Sequence, residues 1–134
     1  MKIFFPLLVA GSVIAGSSFS AAQAADFAIS FEWGDLKKCT NGNPNRVTNP
    51  LFNLSGVPAG TAVINFQMKD LNVPSFYHGG GKVQYTGGSS VKPGAFRYLS
   101  PCPPGGRHMY QWTATALDSK GKKLGEAKAK KQYP

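Results

Sequence analysis

The run His108-Met109-Tyr110-Gln111-Trp112 places an imidazole, a phenol and an indole at every second position. In an extended chain, side chains two apart share a face, so all three point the same way. An imidazole and a phenol on one wall can donate hydrogen bonds to an anion, and an indole beside them supplies an apolar backing. The alternation continues through Thr113, Ala114, Thr115, Ala116 and Leu117, which predicts a strand. Just upstream lie Pro101, Cys102, Pro103 and Pro104. Each proline fixes φ and removes an N–H donor. That excludes a helix or a central strand and predicts a stiff, extended surface loop. Gly105 and Gly106 then allow a sharp turn. A rigid loop that delivers a histidine and a tyrosine to one side predicts the wall of a small polar pocket. Taken singly, His108 reads equally well as a strand histidine, and Tyr110 and Trp112 as ordinary core.

Pro-Cys-Pro-Pro, glycine, His-x-Tyr and a strand closing on Ala116-Leu117-Asp118 resemble the second signature block of the phosphatidylethanolamine-binding protein family. Its bacterial branch is called Raf-kinase-inhibitor-like. Upstream, Met68-Lys69-Asp70-Leu71-Asn72-Val73-Pro74, followed by His78, is similar to the first block. The resemblance covers roughly residues 50 to 120 and implies an all-β antiparallel sandwich with few or no helices. Residue by residue, it implies a ligand site of Asp70, His78, Pro101, His108 and Tyr110. An aspartate close to two imidazoles would raise their pKa values and favour protonation. The imidazoles and phenol would then donate to phosphate oxygens, and the carboxylate would accept from an ammonium group or a histidine. Phe76, Tyr77 and Trp112 would add apolar walls. The implied ligand is a small anion or zwitterion such as a phosphoethanolamine head group. Four positions depart from the family pattern: Asn72 replaces a second aspartate, Gly79 a tryptophan, Ser100 a glycine and Met109 an arginine.

The elements that must position these groups are short strands. Phe27, Ile29 and Phe31 alternate with Ala28, Ser30 and Glu32, which predicts a first strand. Asp35 to Pro50 is rich in turn residues and has no period, which predicts a long loop. Leu51-Phe52-Asn53-Leu54 is a short apolar piece, and Pro58-Ala59-Gly60-Thr61 leads into the next strand. There Ala62, Ile64, Phe66 and Met68 share a face, with Asp70 at the strand's end. Gly79-Gly80-Gly81 predicts a tight turn or a close approach to a ligand. Lys82 to Thr86 predicts a short strand and Asp118 to Gly121 a hairpin turn. Leu124 to Tyr133 predicts a last strand with alternating charge. About seven short strands with glycine and proline turns argue independently for an antiparallel sandwich.

The chain has 134 residues. Met1-Lys2, the apolar run Ile3 to Ile14 and Ala22-Gln23-Ala24 predict a signal peptide over residues 1–24. Residues 25–134 are then one domain, exported to the periplasm or secreted. Cysteines stand only at Cys39 and Cys102, and an even count in an exported chain favours a disulfide over two buried thiols. Losing Lys2 lowers the formal charge from +9 to +8, and six of the 15 basic residues lie at or beyond Lys120. We read that excess mainly as a solvated face. An anionic membrane surface is the weaker partner and nucleic acid is not expected.

These features predict a binding protein, not an enzyme, with no cofactor. No Gly-x-Ser-x-Gly elbow is present, and Cys102 is expected to be oxidised. One alternative is a metal centre ligated by His78, His108 and Asp70, with metal-dependent hydrolysis. Another is an inhibitor or interaction module whose protein partner the sequence does not identify.

Overall fold

Two strands carry the molecule. The structure, a computed structural model, describes residues 25–134, and the expected leader over 1–24 lies outside the described residues. β4 (Val63–Asp70) buries Ile64, Phe66, Met68 and Asp70 on one face. β8 (His108–Leu117) buries Tyr110, Trp112, Ala114 and Ala116. They pair antiparallel, and large side chains fall opposite small ones: Ile64 faces Ala116 and Phe66 faces Ala114. Such cross-strand complementarity fixes register, because a one-residue slip would turn every buried side chain outward. β5 (Tyr77–Gln84) flanks β4, and β9 (Lys123–Tyr133) flanks β8, giving the order β5-β4-β8-β9. β9 presents Gly125, Ala127 and Ala129 to its partner, so the bulk of Trp112 is accommodated beside it.

A second layer covers this sheet. β1 (Ala28–Phe31), β3 (Phe52–Ser55) and β6 (Ser90–Val91) form a three-stranded antiparallel sheet, order β1-β3-β6. Its inner face carries Ile29, Phe31, Phe52, Leu54 and Val91. Phe52 stacks on Phe66 across the layers at 4.4 Å, and Trp112 meets Phe52 edge-on at 5.2 Å. Off-parallel aromatic pairs at these distances add to the area they bury. Trp112 Nε1 has no hydrogen-bond partner among the described residues. Leaving that donor unpaired costs about 1–3 kcal/mol, which burial of so large a ring offsets. The result is an antiparallel β-sandwich with no helix among the described residues, as both lines of sequence argument predicted.

Three local expectations need correction. The stretch from Asp35 to Pro50 is not all loop. It contains β2 (Arg46–Thr48), which pairs antiparallel with β7 (Arg97–Leu99). Three residues are too few to display a period, and the partner lies about fifty positions away. Gly79-Gly80-Gly81 is not a turn but part of β5. A Cβ at Gly80 would collide with the Phe66 carbonyl and one at Gly81 with the Phe96 side chain. Gly79, at φ +80°, sits where β5 bulges against β4 between Gln67 and Lys69. The close approach predicted for a ligand is thus to the protein's own chain. The proline segment is also not a surface loop: Pro101, Cys102 and Pro103 are buried, and only Pro104 is exposed.

Candidate functional site

At the end of β4, Asp70 pairs in register with Tyr110 of β8. Asp70 is 4% exposed. Oδ1 accepts the backbone N–H groups of Asn72 and Val73, at 2.9 and 3.1 Å. That is an Asx turn, and it starts the link from β4 to β5. Oδ2 accepts from His108 Nδ1 at 2.7 Å, the short length of a charge-assisted hydrogen bond. One carboxylate therefore shapes a turn and orients an imidazole. With these positions occupied it positions His108 rather than serving mainly as an acceptor for an ammonium group. Asn72 braces the same turn from the other side. Its Oδ1 accepts the Met109 N–H at 2.8 Å and ties the turn to β8.

His78 arrives from the β5 bulge and is 3% exposed. Its Nδ1 donates to the Leu99 carbonyl at 2.8 Å, which leaves Nε2 with the lone pair in the neutral ring. Burial pulls the His78 pKa down, and the Leu99 carbonyl and the Asp70 charge only partly oppose it. The expectation that the aspartate would raise this value fails because desolvation of a buried imidazolium outweighs a charge not in contact with it. The Tyr110 ring lies edge-on to His78 at 5.5 Å and tilted to His108 at 6.2 Å. Burial pushes its phenol pKa up, and the Asp70 charge adds to that, so Tyr110 stays a hydroxyl donor.

Asp70, His78, His108 and Tyr110 border one recess with a volume of about 180 Å³. Val73 and Phe76 form one side, with Phe76 4.6 Å from the His78 ring. Gly42, Pro44, Cys102, Pro103 and Pro104 form the other. This second wall consists of two irregular segments joined three ways. Cys39 and Cys102 are bonded as a disulfide. Ser100 N–H donates to the Asn45 carbonyl at 2.8 Å, and Asn45 N–H donates to Ser100 Oγ at 3.0 Å. Gly42 packs so closely on Pro104 that a Cβ there would lie 3.3 Å from the ring.

No protein-family model matches the sequence, and no curated protein matches it. Solved structures do. A phosphatidylethanolamine-binding protein homologue from Chlamydia trachomatis, CT736, aligns with a TM-score of 0.58 at 16% identity, over 81% of this chain and 97% of that one. YbcL from Escherichia coli, described as a new member of the mammalian family, aligns with a TM-score of 0.57 at 17% identity, over 81% and 98%. This chain has the phosphatidylethanolamine-binding protein fold. At such identities the likeness is one of architecture, and the recess must be argued from its own atoms.

Within that fold, four of the five expected site residues converge and one does not. Pro101 is fully buried behind the recess, and the neighbouring Pro103 and Pro104 line it instead. Two of the three expected aromatic walls also fail. Tyr77 is 75% exposed outside the recess, and Trp112 lies in the core. Only Phe76 lines the recess. Alternation explains both, since Tyr77 is one residue before the inward His78 and Trp112 is one step deeper than Tyr110. The geometry also bears on the alternative metal set of Asp70, His78 and His108. Among the described residues, no three His, Cys, Asp or Glu side chains are grouped to hold an ion. Asp70 is committed to His108 and to two turn amides, while the two imidazoles use only their Nδ1 atoms and keep Nε2. Sequence reasoning missed Gly42, Pro44 and Ser100, which lie in segments without a period. The one usable signal was the cysteine pair, which required the 39–45 and 100–104 segments to meet.

Proposed function

We propose that this protein is a non-catalytic binding protein for a small phosphate-bearing head group such as phosphoethanolamine, acting in the periplasm or after secretion. The observation that carries the reading is Tyr110 between two imidazoles, one of them fixed by Asp70, in one recess. His108 Nε2 and His78 Nε2 are the ring nitrogens not used in the internal hydrogen bonds through Nδ1, and the Tyr110 hydroxyl lies beside the Asp70 carboxylate and the Cys102 backbone. The phenol can donate to a phosphate oxygen, and so can His108 Nε2 when that ring carries a proton on both nitrogens, while the neutral His78 Nε2 accepts from an ammonium group. The apolar sides exclude water and strengthen such contacts. Size points the same way: about 180 Å³ is below the roughly 300–1,000 Å³ of sites that enclose drug-sized molecules. A head group fits; an acyl chain must stay outside.

The lining chemistry supports a binding role over turnover. Cys102 is oxidised, Tyr110 is held protonated, and the other polar lining groups are two imidazoles and a committed carboxylate. None is an activated nucleophile. The disulfide accords with an oxidising compartment, which is where an exported chain would meet lipid head groups. The test is an NMR titration of the imidazole signals with phosphoethanolamine, phosphate and ethanolamine. His78 and His108 should shift together with the first of these. Two rings that ignore all three compounds would sink the reading.

A further inference from the structure

Between Asp35 and Asp118 the chain carries one acidic residue, Asp70, which is buried and bonded to His108. The same stretch carries eight lysines and arginines. Against this basic background, exposed apolar bulk is concentrated in one place. Of the five large hydrophobic side chains left exposed among the described residues, three stand in the link from β4 to β5, Leu71, Val73 and Phe76, and a fourth, Tyr77, opens β5. The link is not a loose tail. Asp70 caps it, Leu71 N–H donates to the Met109 carbonyl at 2.8 Å, and Phe76 N–H donates to the Val73 carbonyl at 3.0 Å. The backbone is thus braced while its apolar side chains project into water, an arrangement that marks a contact surface. Cations border it. Tyr77, Lys69, Gln111 and Lys130 are successive register partners in one row across the outer face of the sheet, and Arg107 directly precedes His108. Lys69, Lys130 and Arg107 form no salt bridge among the described residues.

We infer that the residue 71–77 tip docks on an anionic lipid bilayer. Leu71 and Tyr77 then enter the interface and the basic row lies against the head groups. Charge complementarity selects this occupant. A second copy of the chain would bring the same basic border against itself. A stable protein interface buries roughly 800 Å² per partner, far more than four side chains on one turn provide. Insertion of a small apolar tip with flanking cations is what a bilayer surface accepts, with aromatic side chains at head-group depth. Val73 and Phe76 belong both to the tip and to the recess, so docking brings the recess mouth to the bilayer. In that last respect the inference rests on the head-group reading, and it commits to lipid rather than free phosphate as the source.

The test is co-sedimentation of the full mature chain with phosphatidylcholine vesicles, with and without phosphatidylglycerol, at low and high salt. Leu71→Ser/Tyr77→Ser is the docking variant, because neither residue lines the recess. Wild-type protein should partition onto the anionic vesicles at least tenfold more strongly than onto neutral ones, and salt should erase most of the difference. The double variant should lose at least tenfold in vesicle affinity while its response to soluble phosphoethanolamine stays within twofold. Equal partitioning of variant and wild type would overturn the docking surface. So would no partitioning at all, or a variant whose only change is loss of self-association. Failure of phosphoethanolamine binding alone would instead overturn the head-group reading, and the vesicle result would stand separately.

Discussion

β8 passes through two environments within a few residues. At Trp112 and Ala114 its inner face lies under a second sheet, and Phe52, Phe96 and Tyr98 enclose the indole. At Tyr110 and His108 the covering layer is no longer sheet but the two loops joined by Cys39–Cys102. The strand and its alternation are the same, yet one end is core and the other a recess. Sheet-on-sheet packing fills space with interdigitated side chains. Loops clipped at a few points leave a gap that small polar groups can line. The site arises where the strand's inner face outruns the sheet above it.

The largest effect should come from the core end. Trp112→Ala removes the ring that three aromatic side chains enclose and should cost about 3–5 kcal/mol in urea unfolding. A loss under about 1 kcal/mol would erase the distinction, because the ring would then be no better packed than the recess. Second, Cys39→Ser/Cys102→Ser frees the loop cover and should cost about 4 kcal/mol by the loop-entropy model. At temperatures where the variant stays folded, near-UV signals of the core should persist while the response to phosphoethanolamine disappears. Recess and core failing together would show that the loops are not a separate layer.

Third, Asp70→Asn keeps an oxygen for the Asn72 and Val73 amides but removes the charge facing His108. Stability should fall by about 1 kcal/mol. Phosphoethanolamine affinity should fall by about tenfold, the loss of one charge-assisted contact. Unchanged affinity in calorimetry would exclude Asp70 as the group that positions His108. The smallest effect concerns pH. Because folding lowers the His78 pKa below its ordinary value of 6.5, the unfolded chain takes up that proton more readily. Stability from this group is complete above about pH 6.5 and is lost as pH falls toward the lower folded value. His78→Asn, which can still donate to Leu99, should flatten that part of the melting-temperature profile. An unaltered profile would assign the acid sensitivity to other groups.

Much of the fold could be read because it is written in alternation. Ile64, Phe66 and Met68 declare an inward face, as do Tyr110, Trp112 and Ala114. β2 could not be read, since its three residues acquire meaning only from Arg97–Leu99. The glycine run misled because permissive backbone suits a turn and a closely packed strand equally. His108 and Tyr110 could be placed on one wall by spacing alone. Bringing Asp70 and His78 to them required the resemblance, because no local rule links residues thirty or more positions apart.

Residue order alone set which faces are buried, where chain direction reverses at Asp118–Gly121, and that Cys39 and Cys102 could meet. Those are local or pairwise properties, set by side-chain period and backbone freedom. It took the folded arrangement to commit Asp70 internally, to drive His78 toward neutrality, and to turn Pro103 rather than Pro101 to the recess. Each of those depends on solvent exclusion and on hydrogen-bond partners from several segments at once. Neither quantity exists until the chain has folded.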